Sequence, residues 1–131
     1  AKGFDQTATP KAMLIYRNFA AVNDQGAAPV QPSDPMGIPT HFRDAPDSLF
    51  GDQLRHVDFH TGQHAGATAV FFRAAQDASV HEVTVHATGS YAGFHGLPGR
   101  DMGASNVTVV GGQFGLLLDG SMAGTMVVGV R

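Results

Sequence analysis

The chain has no cysteine, so no disulfide framework holds it and no redox compartment can be inferred from one. No apolar run approaches the ~18 residues of a membrane span, which leaves no membrane among the expected partners. No basic cluster is present either. Eight Lys+Arg stand against eleven Asp+Glu, a formal charge of −3, whereas phosphate neutralisation needs a cationic stripe. Nucleic acid is therefore excluded from the expected partners. An amphipathic helical period and a secretory leader are likewise missing, and the opening Ala1–Phe4, without Met, suits a processed or cut polypeptide.

What is abundant is glycine, with 17 residues, about twice the usual ~7% share. The hydrophobic fraction of 43% fits a chain that buries a core. Glycine at this density suits a fold with many tight corners at positive φ.

From residue 54 onward one phrase is written three times. Gly66–Phe72 (Gly-Ala-Thr-Ala-Val-Phe-Phe) recurs as Gly89–His95 and again as Gly111–Leu117, the leading glycines 23 and 22 residues apart. A second phrase, Val57–Phe59, Val83–Val85 and Val107–Val109, repeats at 26 and 24 residues. Self-similarity at roughly 20–50 residues marks a repeat architecture. Two β-rich runs per period predict an all-β, right-handed parallel β-helix of about three to four coils over 51–131. The strand-like Val127–Val130, with no polar cap after it, suggests a segment of a longer solenoid, or a last coil completed by another chain or a missing C-terminal segment.

Residues 1–50 form the other part of one structural domain. Ala12–Tyr16 predicts a strand. From Ala27 to Asp47 five of the seven prolines occur, at 29, 32, 35, 39 and 46, blocking helix and central strand. This stretch is expected to be a surface loop or arm packed on the solenoid.

In its coil pattern, carried by Leu54–Gly62, Gly66–Arg73, Val80–His86 and Asn106–Gly112, the stretch Leu54–Gly120 resembles the pectate-lyase-like superfamily of right-handed parallel β-helices. It looks particularly like members built as glycoside hydrolases or polysaccharide lyases. The Asn-Thr-Asp and Gly-His-Gly signatures of polygalacturonase-like relatives do not occur, Phe94-His95-Gly96 being the nearest. The resemblance implies a carbohydrate-facing scaffold, extracellular or at the cell surface, and transfers no catalytic residue. The expected function is a carbohydrate-active protein, part of a polysaccharide-cleaving enzyme that binds an extended glycan on an outward sheet face. A non-catalytic solenoid of an adhesin, tailspike or surface assembly is the alternative. No cofactor and no metal are expected.

The candidate residues follow from strand alternation and stacking at about 4.8 Å. Outward columns are expected to be His56–Glu82–Asn106, Asp58–Thr84–Thr108 and His60–His86–Val110. Asp58 and Glu82, one repeat apart and two residues out of step, should have Cα atoms about 8 Å apart. That lies within the ~6.5–9.5 Å between carboxyl groups that inverting glycosidases use to admit water. Exposed carboxylates more often serve solvation alone. His60 and His86 should stack, and an imidazole can act as general base near neutral pH. Asp58, Glu82, His60 and His86 are thus the catalytic candidates. Substrate contacts are assigned to His56 on the same face, to His95, Arg100 and Asp101 around the excursion Leu97–Gly103, and to Tyr91 as a stacking platform. Arg100 could clamp a uronate carboxylate through paired hydrogen bonds. Phe59, Phe71, Phe72 and Phe114 are expected in the interior; Phe94, like Tyr91, fits either core packing or a sugar platform.

Overall fold

The structure is a computed structural model that describes residues 4, 5, 8, 10–16, 19–21, 42–44, 50–99, 101–118 and 124–131. All regular elements among them are strands: β1 Lys11–Tyr16, β2 Phe19–Ala21, β3 Phe42–Asp44, β4 Gln53–His60, β5 Ala67–Phe72, β6 Ser79–Ala87, β7 Ala92–His95, β8 Gly103–Gly111, β9 Phe114–Leu117 and β10 Met126–Val128.

From β4 onward the chain passes alternately between two parallel sheets. One sheet has the order β1-β5-β7-β9, the other β10-β8-β6-β4, and β2 and β3 form a separate antiparallel pair. Parallel neighbours cannot be joined by a hairpin, so each pair is connected through a strand of the opposite sheet. The register follows the repeated phrase: Val57 pairs with Val83 and Val83 with Val107, while Phe59 pairs with Val85 and Val85 with Val109.

This corrects the expected fold. The right-handed parallel β-helix of three to four coils is not what the chain forms; the two four-stranded sheets do not close into a solenoid. Each period supplies only two strands. The connecting stretches 73–78 and 96–102 are turns, bends and irregular backbone among their described residues, so they contribute no third sheet. Repetition in a sequence specifies which strands lie side by side, but the backbone torsions of the connections decide whether the walls meet.

The core lies between the sheets. Val70, Phe72 and Phe94 of one sheet meet Val80, Val83, Val85 and Val107 of the other in one buried cluster. Burying side chains of this size contributes roughly 1.5–3 kcal/mol each before entropy is counted. Phe72 stacks on Tyr16 with ring centroids 4.5 Å apart, which ties β1 to the repeats. Gly93 marks a close approach of the sheets: a Cβ there would stand 2.5 Å from Val109 Cγ1. The bend after β4 is tied by buried hydroxyls, with Thr61 and Ser90 2.6 Å apart and Ser90 Oγ donating to the Gly62 carbonyl at 2.9 Å.

Several expectations need adjusting. Phe94 is wholly buried, so it packs rather than offering a sugar platform. Phe114 is 37% exposed because β9 is an edge strand with nothing paired beyond it among the described residues. Phe59 is half-buried on the edge strand β4, and Phe71 is buried beside His95. The Pro-rich stretch 27–47 lies outside the described residues apart from β3, whose backbone pairs with β2.

Candidate functional site

Strict alternation fails at one position of β4, β6 and β8, and the failure builds the site. His56, Glu82 and Asn106 adopt φ of 55°, 51° and 52°, the left-handed region. The ladder runs Arg55↔His81↔Ser105 and resumes at Val57↔Val83↔Val107, stepping over the three left-handed residues. As in a β-bulge, one extra residue changes the phase of the strand. Leu54 and Val57 therefore both join the core although they stand three positions apart, and the two consecutive residues between them stay on the outside. Gly129, at φ 64°, repeats the same conformation one residue after the pair Val128↔Ser105.

The doubled outward positions place four polar side chains in one connected chain across β4, β6 and β8. His56 Nδ1 lies 2.8 Å from Glu82 Oε2, and His81 Nε2 lies 3.4 Å from Glu82 Oε1. His81 Nδ1 is 2.7 Å from Ser105 Oγ. The His56 and His81 rings meet edge to face at 6.2 Å. With Glu82 accepting from Nε2–H of a neutral His81, Nδ1 is left to accept the Ser105 hydroxyl proton. A carboxylate orienting an imidazole that in turn holds a hydroxyl can move a proton at Ser105 Oγ. Side-chain exposures of 61% for His56 and 49% for Glu82 keep this contact worth no more than about 1 kcal/mol to stability.

Further along the same strands, Asp58 pairs with Thr84 and Thr84 with Thr108, while His60 pairs with His86 and His86 with Val110. The His60 and His86 rings stack at 4.5 Å with planes 13° apart. Asp58, Glu82, His56, His60 and His86 therefore share one sheet. Glu82 keeps the outward place that alternation from Val83 gives it, with its backbone in the left-handed region.

The remaining candidates do not join them. Tyr91 stands just before β7 and meets Phe114 edge to face at 5.5 Å. His95 lies in the opposite sheet, edge to face with Phe71 at 5.0 Å, and its Nδ1 is buried. Asp101 is exposed on the turn before β8, at φ 77°. Arg100 lies outside the described residues. Of the expected substrate-contacting set, His95 thus lies on a strand and Asp101 on a turn.

His81 and Ser105 were not among the sequence candidates, since alternation from Val83 and Val107 would place them inward. A signal was available: Asn106 and Gly129, residue types that tolerate the left-handed region, fall at the same phase of their strands. Among the described residues no group of three or more His, Cys, Asp or Glu side chains could hold a metal ion. No helix there is long and apolar enough to cross a membrane. The chain matches no protein-family model, no curated protein and no solved structure.

Proposed function

We propose that the outer face of β4, β6 and β8 binds an extended polysaccharide and that the chain is part of a carbohydrate-active, polysaccharide-cleaving protein acting outside the cell or at its surface. The observation that carries this reading is the in-register array of exposed polar side chains: the His56–Glu82–His81–Ser105 chain, the Asp58–Thr84–Thr108 column and the stacked His60–His86 pair. Equivalent groups recur about every 4.8 Å, a repeat suited to hydroxyls presented regularly along a glycan. In this reading Glu82 and Asp58 are the acid–base groups, and His60, His86 and His56 contact the sugar.

A non-catalytic surface-assembly role is the second reading, favoured by the Thr84–Thr108 column and by the exposed apolar strand β10. A panel of neutral and uronate polysaccharides, with binding and product mass both measured, separates the two. Cleavage is expected, with a product mass that distinguishes hydrolysis from elimination. Glu82→Gln should abolish cleavage while shifting stability by less than about 1 kcal/mol, because its pairs are exposed. Binding without product would leave only the second reading, and neither binding nor product across the panel would defeat the carbohydrate assignment.

A further inference from the structure

Among the described residues the core is most deeply buried in its middle and less so towards both ends. In the column Phe59–Val85–Val109 the central Val85 is fully buried, whereas Phe59 and Val109 are half-buried. The opposite sheet repeats this: Val70 and Phe94 are fully buried, and Leu14 and Leu116, paired outside them, are not. The terminal strands are β4 and β1 at one end and β10 and β9 at the other, and among the described residues no strand pairs with their outer edges. On β10 the core-facing residue is Val127, in register with the buried Ala104, and it stays 41% exposed. An unpaired apolar edge of this kind is a template for another strand.

The left-handed position decides which strand fits. A partner alongside β10 must carry a left-handed residue opposite Gly129; a regularly alternating strand would slip by one residue there and turn its apolar side outward. β4 carries that residue at His56, in the same phase. Gly129 has no side chain to obstruct it. Within the chain, Arg55, His81, Ser105 and Val128 already occupy successive places in one column. Adding β4 of another copy beyond β10 would put Arg55 next to Val128 and repeat that order.

We propose that the β9/β10 end of one copy docks on the β1/β4 end of a second copy, continuing both parallel sheets in register across the junction. The two surfaces are different, so the contact is heterologous and propagates into a linear assembly or a ring. The inference is independent of the glycan reading, since it needs only the strand register at the edges and no ligand on the polar face.

The absence of cysteine makes the test direct. Arg55→Cys and Val128→Cys are substitutions at exposed positions, and adjacent in-register strands bring Cα atoms to about 4.8 Å, within the ~4.4–6.8 Å span of a disulfide. Mixed under mild oxidation, the two variants should shift from monomer mass to a covalent heterodimer that reductant reverses. A chain carrying both substitutions should give a series of multimers. Sedimentation of the unsubstituted chain should show mass rising with concentration. Self-cross-linking of either single variant as readily as the mixture would overturn the head-to-tail arrangement, because like ends would be meeting. A chain that stays monomeric at every concentration and yields no cross-link would overturn the assembly itself.

Discussion

Replacing Gly93 with alanine probes a close approach between the two sheets. The added Cβ would lie 2.5 Å from Val109 Cγ1 and 2.7 Å from the Gly115 carbonyl oxygen. Carbon atoms prefer about 3.5–4.0 Å, so something must yield by roughly 1 Å. Val109 is half-buried and can rotate outward, but the Gly115 oxygen belongs to the backbone of β9. Overpacking of this kind costs about 1–3 kcal/mol. Gly93 is not among the glycines at positive φ, so alanine also restricts the unfolded chain and returns about 0.4–1 kcal/mol. The net expectation is a loss of about 1–2 kcal/mol, or a Tm lower by roughly 3–8 °C for a chain of this length. Gly115→Ala is the matched control, since its Cβ would meet nothing within 4 Å and the variant should be neutral or slightly stabilised. Adding Val109→Ala to Gly93→Ala should recover part of the loss, read as a coupling energy in urea titrations. Equal stability of the Gly93→Ala and Gly115→Ala chains would refute the close packing of β7 on β8.

The left-handed column can be tested one position at a time. Asn106→Gly should keep or raise Tm, because glycine enters that region without steric penalty. Gly129→Val should cost about 1–3 kcal/mol locally and speed hydrogen exchange at the Val109 amide, which donates to the Arg131 carbonyl at 2.9 Å. Unchanged exchange would show that β10 is not held by that conformation. Phe72→Ala removes a fully buried ring stacked on Tyr16 and should lower unfolding free energy by about 3–5 kcal/mol, measured as a fall in urea midpoint. A change below about 1 kcal/mol would mean that the ring does not belong to the shared core.

Much of the strand pairing was legible because apolar residues recur at one phase. Val57, Val83 and Val107 have to lie side by side if each is to reach the same core, and they do. The stacking of His60 on His86 follows from that register without further assumption. The His56–Glu82–His81–Ser105 chain was only half legible. Period-two reasoning assigns alternate residues to opposite faces and would place His81 and Ser105 inward, whereas one left-handed residue per strand puts them outside. The interior place expected for Phe114 failed for another reason: a repeat does not say which copy of itself is last, and a residue on an edge strand stays exposed whatever its hydrophobicity.

By itself the sequence determined that the chain is all-β, that its strands recur with two per period, and which residues face one another across them. These are short-range properties, written in apolar periodicity and in the steric preferences of β-branched residues. Only the tertiary structure decided that the walls form two separate parallel sheets and do not close into a tube. It also decided that Glu82 lies between two imidazoles and that, among the described residues, Phe59 and Phe114 on the edge strands stay partly exposed. Those outcomes depend on backbone torsions at single bulge and turn residues, where a change of one conformation redirects every side chain beyond it.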